Sequence, residues 1–244
     1  MCGRFVSASS PESIAEYFGA AFDGETLEEN HNVAPTADVY AVVADDEGHR
    51  RVDAFRWGLV PSWAKDIKVG ARMINARSET LAEKPAFKGV FGKHRCLIPM
   101  DGFYEWTRTT VGDAPPTKQP VFIHRRDGEL LAVAGLWAAW RPQGDDDAEW
   151  LHSASVITTS ANATMAPVHD RMPVILPESA WAEWLDPNMH DTGRLRHLFV
   201  PANDGLLTMY SVSTEVNNAR NKGAHLMAPM GTADQSAGGP SAGE

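Results

Sequence analysis

Cysteine is nearly absent from this 244-residue sequence, which contains only Cys2 and Cys96. Two thiols can form at most one disulfide, and in a reducing compartment such residues stay reduced. Neither a disulfide framework nor a cysteine-based zinc cluster is therefore expected. The nine histidines also lack partners at metal-ligand spacing. We predict a protein that uses no metal and no other cofactor.

Long apolar runs are absent as well. No segment approaches the roughly 18 consecutive apolar residues that indicate a membrane span. The first ten residues, MCGRFVSASS, turn polar almost at once and do not follow the basic-then-apolar pattern of a secretory signal. We expect a soluble cytoplasmic protein that has no membrane partner.

Positive charge is scarce, because 22 lysines and arginines stand against 32 aspartates and glutamates, for a net charge of −10. Phosphate binding needs a basic surface that releases counterions, so this balance argues against a general nucleic-acid coat. Arginines nevertheless recur inside the motif-like segments, and a local basic groove on an acidic body fits the pattern. These arginines are Arg4, Arg72, Arg77, Arg95 and Arg171.

Segments rich in β-branched and aromatic residues predict most of the fold. The Asp127-Gly128 pair marks a hairpin turn. Helical spacing follows Ser10, recurs in 178–186, and is expected after Ser78, with Pro85 near the end of that helix. The expected strands lie in 38–45, 51–60, 95–100, 102–108, 119–140, 154–161 and 206–213.

The order of these segments shows no repeating strand-helix alternation. We therefore predict an α+β fold, a single domain with a curled, mostly antiparallel mixed sheet (a pseudo-barrel) flanked by short helices. The length fits one domain, which we assign to 1–227. Segments 107–118 and 141–149 read as surface loops, and 228–244 is too rich in small residues to bury a core. We expect that tail to be disordered.

Cys2 offers unusual chemistry if the initiator Met1 is removed. The new N-terminus would carry a thiol and a free α-amine on adjacent carbons, and both groups have ordinary pKa values near 8 to 8.5. The amine can attack an aldehyde to give an imine, and the thiol can then close a five-membered thiazolidine. That closure is intramolecular and strongly favoured. On its own, a cysteine at position two is more often an incidental residue.

Seven short motifs supply the context for Cys2. They are MCGRF at 1–5, NVAP at 32–35, WGLVPSW at 57–63, NARSET at 75–80, RCLIP at 95–99, GFYEW at 102–106 and HDRMPVIL at 169–176. In order and spacing they resemble the SRAP family, the SOS response-associated peptidases or abasic-site processing proteins. The resemblance covers about residues 2–222, which is nearly the whole chain apart from the tail.

The resemblance implies a catalytic set of four residues. Cys2 matches the nucleophile, Asn75 the residue that orients the N-terminal group, Glu105 the acid/base beside the amine, and His169 the proton donor. The roles fit the chemistry, because a histidine can protonate the ring oxygen of a closed sugar and a carboxylate can take protons from the amine. Taken singly, Glu105 would more often be a buried, paired carboxylate, and the other two a loop histidine and a turn asparagine.

The resemblance also implies DNA contacts. Arg4, Arg77 and Arg171 match phosphate-binding arginines, whose planar donors suit phosphate, and the alternative for each is a structural salt bridge. In an extended segment, Arg77 shares a face with Asn75, as does Arg171 with His169. Pro35 and Trp63 match apolar elements against which bases stack.

Several similar residues are expected to be structural instead. Trp57 and Trp106 read as core residues, and Cys96 as a buried thiol without a catalytic role. The structural interpretation is also preferred for Arg72, Arg95 and Arg220.

We therefore predict an SOS-response DNA-repair protein that senses abasic sites in single-stranded DNA. A thiazolidine crosslink through Cys2 would protect the damaged strand, with associated lyase and crosslink-reversal activity. The protein is expected to act as a monomer. One alternative is a cysteine peptidase with autoproteolytic removal of Met1, in which His169 is the base and Asn75 helps to stabilise the oxyanion. Another is a non-catalytic single-strand binder in which Cys2 is incidental.

Overall fold

The computed structural model describes residues 2–109, 117–145 and 147–231. Within these ranges the chain forms twelve strands and three short α-helices. The helices are α1 (Pro11–Phe18), α2 (Pro85–Phe91) and α3 (Glu178–Leu185). The strands are β1 (Arg4–Ser7), β2 (Asn30–Val33), β3 (Asp38–Ala44), β4 (Arg50–Trp57), β5 (Asn75–Arg77), β6 (Arg95–Met100), β7 (Gly102–Thr109), β8 (Thr117–Arg125), β9 (Leu131–Trp140), β10 (Leu151–Ser160), β11 (Arg171–Pro173) and β12 (Leu207–Ser211).

These strands build two sheets. One has the order β12-β8-β7-β1-β2, and each of its pairs is antiparallel. The other has the order β11-β10-β4-β3-β6-β9, with β9 also pairing with β10, so that this sheet curls back on itself. Its parallel pairs join β10 to β4 and to β5. The predicted α+β class with a curled, mostly antiparallel mixed sheet is confirmed.

Strand alternation divides the apolar side chains among three layers. The central layer lies between the two sheets and takes Phe5 and Phe103 from one sheet and Trp57 and Val156 from the other. The opposite face of the curled sheet packs against all three helices. The opposite face of the five-stranded sheet is covered by the segment around Val216. The candidate site lies where Cys2 joins the central layer.

The first helix shows how closely local sequence can determine structure. Ser10 caps α1 by accepting a hydrogen bond from the Ser13 N–H, and Pro11 occupies the first turn, where its missing N–H costs nothing. Gly19 ends the helix in the left-handed region at φ 58°. This helix was predicted from the same residues.

Some expectations need correction. Pro85 starts helix α2 instead of lying near the end of a helix, and the segment after Ser78 makes only a short 3-10 turn. Proline is favoured in a first helical turn and disfavoured later, because it has no N–H to donate. Trp106 is only half-buried, and its Nε1 donates to Asn217 Oδ1. Trp57 and Cys96 are buried as predicted.

The predicted loops and the predicted tail are described only in part. Strands β7 and β8 occupy 107–109 and 117–118, and residues 110–116 of that predicted loop lie outside the described residues. The described residues of 141–149 are strand-free and mostly exposed, as predicted. Residues 228–231 of the predicted tail are described, and the Met230 N–H donates to Ser211 O at 2.9 Å, while the domain boundary itself stays a prediction. Residues 232–244 lie outside the described residues. Among the residues that are described, no helix is long and apolar enough to cross a membrane.

Candidate active site

Cys2 is a buried residue at the edge of the core between the sheets. Its side chain is 1 % exposed, and Sγ lies 4.0 Å from the Arg4 carbonyl oxygen. Burial raises the pKa of the Cys2 thiol well above its usual range, and the negative charge of Glu105 raises that pKa further. The thiol is therefore held in its protonated form at neutral pH.

Asn75 fixes the backbone of Cys2. Strand β5 places Asn75 opposite Val156 of β10, on the face that borders the core between the sheets. From there Asn75 Nδ2 donates to the Cys2 carbonyl oxygen at 2.8 Å. The other end of the same amide, Oδ1, is buried and accepts no hydrogen bond from the described residues. A buried acceptor without a donor is costly, so this oxygen is ready for an N–H group beside Cys2.

Glu105 reaches the same place from the other sheet. Strands β1 and β7 pair antiparallel with Arg4 opposite Tyr104, and continuing this register brings Gly3 alongside Glu105. Side chains alternate along β7, so Glu105 shares the face of Phe103, which lies in the core between the sheets. The carboxylate is 5 % exposed. The negative charge of Glu105 contributes to the raised pKa of the Cys2 thiol.

His169 ends the turn that connects β10 to β11. Its Nδ1 accepts the Arg171 backbone N–H at 3.0 Å and also lies 2.8 Å from Asp170 Oδ1. A single Nδ1 cannot serve both partners, because the first needs a lone pair and the second a proton. The backbone N–H is fixed in strand β11, whereas the Asp170 side chain is 86 % exposed. We therefore assign Nδ1 as the acceptor, which leaves the proton of the neutral ring on Nε2.

Strand β10 aligns three predicted site residues. Asn75 is opposite Val156, Arg77 opposite Thr158, and Arg171 opposite Ser160. Partners across a ladder share a face, as do alternate residues of one strand. The side chains of Asn75, Arg77 and Arg171 therefore lie along one face, as expected for the first two from an extended segment. Arg77 is exposed at this edge.

Arg171 is engaged by a carboxylate. Its Nη1 donates to Glu79 Oε1 at 2.5 Å and its Nη2 to Glu79 Oε2 at 2.9 Å, while Nη2 also donates to Thr158 O at 2.7 Å. This hydrogen-bonded pairing with Arg171 lowers the pKa of Glu79. The salt bridge considered as the alternative for this arginine is therefore present, and its phosphate contact stays a prediction.

Arg4 is held by a buried amide. Its Nη1 donates to Asn32 Oδ1 at 2.8 Å and to Val216 O at 3.0 Å. The Asn32 amide group in turn donates to carbonyl oxygens of Val216, Asn218 and Asn221. The segment 216–222 is thereby bound to strands β1 and β2, and its two basic residues, Arg220 and Lys222, are exposed.

Pro35 belongs to a strained turn. The next residue, Thr36, has φ 75°, a left-handed conformation that a β-branched residue rarely adopts and that costs about 1–3 kcal/mol. The Thr36 N–H donates to Trp57 O at 2.8 Å, which joins this turn to the start of the WGLVPSW segment. The structure therefore brings the Pro35 turn and that segment together.

Trp63 is presented on an anchored loop. It is 54 % exposed, and the carbonyl of the next residue, Ala64, accepts from the buried Trp140 Nε1 at 2.8 Å. Gly58 at φ 124° lies so close to Gly70 that a Cβ on Gly58 would meet the Gly70 carbonyl oxygen at 2.5 Å. A large apolar ring on a rigid support suits base stacking.

The arginines expected to be structural divide into two groups. Arg95 is buried, and its guanidinium donates to the carbonyl oxygens of Trp184, Phe91 and Asp186, which confirms its structural role. Arg72 and Arg220 are exposed, so the structure does not give them such a role.

Within the described residues, one group has ligand atoms close enough for a metal ion, namely Asp45, Glu47 and His49 in the β3–β4 turn. Asp45 Oδ1 already accepts the N–H groups of Glu47 and His49. These bonds explain the cluster as a turn motif.

Comparison with known proteins identifies the family. A family model described as "SOS response associated peptidase (SRAP)" matches residues 1–219. The chain belongs to the SRAP family. The Bacillus subtilis relative named "Abasic site processing protein YoqW" is 40 % identical to this SRAP chain over 231 residues, covering 93 % of the chain and 99 % of the relative. The rat "Abasic site processing protein HMCES" is 34 % identical over 213 residues, covering 75 % and 58 %.

Solved structures also resemble this SRAP chain. A Bacteroides thetaiotaomicron protein matches with a TM-score of 0.81 at 23 % identity, covering 94 % of the chain and 100 % of that protein, and this likeness shows the fold alone. A Bordetella bronchiseptica protein matches with a TM-score of 0.71 at 26 % identity, covering 87 % and 100 %.

Sequence reasoning did not single out two residues of the SRAP site. Glu79 binds Arg171, and Asn32 binds Arg4. Both lie inside motifs that were noticed, NARSET and NVAP. The sequence held a signal for Glu79. This residue lies two positions after Arg77 in a segment predicted to bind phosphate, where a carboxylate needs a positively charged partner.

Proposed function

We propose that this chain processes abasic sites in single-stranded DNA and attaches to them through Cys2 once Met1 has been removed. One observation carries the proposal: the Asn75 amide donates to the Cys2 carbonyl and keeps a buried, unused acceptor on its other end. A free α-amine on Cys2 would supply the missing donor. The relatives named as abasic site processing proteins support the choice of substrate.

The chemistry begins with the sugar. An abasic deoxyribose is mostly a closed hemiacetal. His169 gives a proton to the ring oxygen, the bond from that oxygen to the anomeric carbon breaks, and the anomeric hydroxyl loses its proton to water, which leaves the aldehyde. Glu105 takes a proton from the Cys2 ammonium, and the neutral amine adds to the aldehyde carbon. Loss of water from the carbinolamine gives an imine. The Cys2 thiol then adds across the C=N bond, its sulfur to carbon and its proton to nitrogen, and a thiazolidine results.

The state of the thiol favours attack by the amine first. Because burial and Glu105 raise the pKa of the Cys2 thiol, little thiolate is available in the resting site. The ring closure is intramolecular and needs no strong external nucleophile. Glu105 therefore supports the nitrogen step while it suppresses premature thiol chemistry.

DNA binding uses the edge of the site. The exposed Arg77 binds a phosphate, and Arg4 donates to the segment 216–222, which carries two exposed basic residues. Trp63 and the Pro35 turn contact the bases that flank the abasic position. Phosphates position the strand and the aldehyde provides specificity, so neighbouring base sequence has little effect.

Two secondary activities follow from the same imine chemistry. The imine acidifies the adjacent carbon, so β-elimination of the phosphate cleaves the strand, which is a lyase reaction. Glu105 can also protonate and deprotonate the thiazolidine nitrogen, which permits reversal of the crosslink.

The family description favours a second candidate, a cysteine peptidase that removes Met1. Such an enzyme needs a thiolate, which neighbouring positive charge usually stabilises. Here the largest charge effect on Cys2 comes from a carboxylate and opposes ionisation. The abasic-site function is therefore preferred.

The test uses a single-stranded oligonucleotide with one abasic site. Intact mass first shows whether Met1 is absent, and denaturing electrophoresis then shows whether a heat-stable protein-DNA band forms. We expect a band with the wild-type protein and with Cys96→Ala, and none with Cys2→Ala or with an N-terminal tag that cannot be removed. Peptide cleavage without any band would reject the proposal in favour of the peptidase.

A further inference from the structure

The ion pair between Glu79 and Arg171 joins two parts of the candidate site. Glu79 follows β5, the strand that carries Asn75, whereas Arg171 opens β11, two residues after His169. Strand β10 lies between them: Thr158 pairs with Arg77 of β5 and with Pro173 of β11. The guanidinium therefore crosses the end of β10 and binds a carboxylate on the far side.

The geometry marks this pair as fixed. Arg171 makes two hydrogen bonds to Glu79 and a third to the Thr158 carbonyl, and its side chain is only 12 % exposed. Bidentate arginine-carboxylate pairs are geometrically specific. Hydrogen bonding to Arg171 also lowers the pKa of Glu79, so the carboxylate is ionised at neutral pH.

The pair has a direct connection to the histidine. The Arg171 backbone N–H donates to His169 Nδ1, which keeps the proton of the neutral ring on Nε2. The exposed Asp170 carboxylate is the competing partner for Nδ1 and would draw the proton to that nitrogen. Which partner Nδ1 takes depends on how firmly Arg171 is held.

We propose that Glu79 is a positioning residue that clamps the His169 segment to the Asn75 segment through Arg171. The clamp rests on the proposed function, in which Cys2, held by Asn75, reacts with a sugar that His169 protonates. The clamp sets the distance between Cys2 and His169 and keeps the His169 proton on Nε2. Arg171 thus ties the two strands together at the edge where Arg77 and Arg171 are predicted to contact phosphate.

The first experiment separates rate from binding. Single-turnover crosslinking is measured against concentration of an abasic single strand, which gives a maximal rate and a half-saturating concentration. Glu79→Gln removes the charge with almost no change in shape, and Glu83→Gln is the matched control, an equal charge change at an exposed site in the same turn. We expect Glu79→Gln to lower the maximal rate about 10- to 100-fold, because small misplacements of reacting groups are this costly.

We expect the half-saturating concentration and its salt dependence to stay within about twofold of wild type. Arg171→Gln should lose at least as much rate, and the double variant should be no worse than Arg171→Gln alone, as for residues that act as a unit. Glu83→Gln should match wild type. Unchanged thermal unfolding of Glu79→Gln shows that the loss is not misfolding.

A second measurement does not depend on DNA chemistry. Histidine ring ¹⁵N spectra report which nitrogen carries the proton, and we expect Nε2–H for His169 in wild type and a shift towards Nδ1–H in Glu79→Gln. An unchanged rate and spectrum would overturn the clamp. A raised half-saturating concentration with a weaker salt dependence would also overturn it, since the pair would then serve a phosphate. If wild type forms no crosslink, the proposed function fails, and the spectra alone decide the clamp.

Discussion

Cys2 and Cys96 occupy the same core between the two sheets, yet their surroundings prepare them for different roles. Both side chains are buried, and burial raises the pKa of both thiols. Cys96 lies within strand β6 opposite Gly135 of β9. Cys2 lies before strand β1, where Asn75 binds its carbonyl and the charge of Glu105 acts on its thiol.

Thiol burial therefore does not separate Cys2, the proposed nucleophile, from Cys96. The two residues differ in the polar groups around the backbone of Cys2, namely the Asn75 amide with an unused acceptor and the buried Glu105 carboxylate. These groups suit a nitrogen nucleophile better than a sulfur nucleophile.

The largest effect is expected from exchanging the thiol while the amine is kept. Cys2→Ser can still form an imine, but it has no sulfur with which to close a thiazolidine. We expect the heat-stable crosslink to fall at least about 1,000-fold, since it depends on the intramolecular thiol step. Borohydride reduction should still trap the imine as a covalent band.

The matched variant is Cys96→Ser, which should keep both the heat-stable band and its rate. If borohydride traps nothing with Cys2→Ser, the amine does not attack first. A loss of crosslinking in Cys96→Ser without unfolding would remove the contrast between the two thiols.

The next largest effect concerns Glu105. Glu105→Gln removes the base that takes the proton from the Cys2 amine, so the crosslinking rate should fall about 100-fold or more. The same change removes the negative charge that raises the pKa of the Cys2 thiol. That pKa should therefore fall, and Cys2 should be alkylated faster at a given pH, measured by mass spectrometry of each cysteine peptide.

Cys96 provides the internal reference for that measurement. Burial raises the pKa of the Cys96 thiol, with no contribution from Glu105, so its alkylation rate should not respond to Glu105→Gln. Faster alkylation at both positions would instead indicate a general loosening of the core.

Much of this fold could be predicted from local patterns. The serine cap and first-turn proline of α1 determine its start within a few residues. The Asp127-Gly128 pair does make a turn, but the predicted hairpin is wrong, because the strands on either side of it, β8 and β9, belong to different sheets. The misplaced second helix shows the limit of such patterns. A proline between two segments of helical pattern can end one helix or begin the next. Phe87 and Phe91 pack into the core between the curled sheet and the helices, and this packing favours a helix that begins at Pro85.

The candidate site was predictable residue by residue but not as a network. Motif order picked out Asn75 and Glu105, but it could not show that Asn75 binds the Cys2 carbonyl or that Glu105 reaches Cys2 from the other sheet. Those facts depend on strand register across the fold. The Glu79–Arg171 bridge is a similar case, because it crosses a strand that arrives much later in the chain.

A smaller effect is expected at the contact between Cys96 and Gly135. A Cβ on Gly135 would lie 2.9 Å from Cys96 Sγ and 3.1 Å from the Ser155 carbonyl oxygen. Gly135→Ala should therefore lower the free energy of unfolding by about 1–3 kcal/mol through overpacking, measured by urea denaturation. Crosslinking by the folded variant should stay normal, because no site residue is touched.

The double variant Cys96→Ala with Gly135→Ala provides the control. Removing the sulfur makes room for the new methyl group, so the double variant should be more stable than the sum of the two single losses predicts. Additive losses would show that Cys96 Sγ is not what limits this position.

The smallest effect is a pH dependence of stability. The folded thiol of Cys96 has a pKa raised above its ordinary value of 9.0, so the unfolded chain loses this proton first as pH rises. The stabilisation from the protonated thiol is complete below pH 9 and declines above it, by about 1.4 kcal/mol per pH unit for one thiol. Urea denaturation at pH 8 and pH 10 should show a smaller loss for Cys96→Ala than for wild type. Cys2→Ala should reduce the loss in the same direction, because its thiol pKa is also raised. Equal losses in all three proteins would mean that the core holds neither thiol in its protonated form.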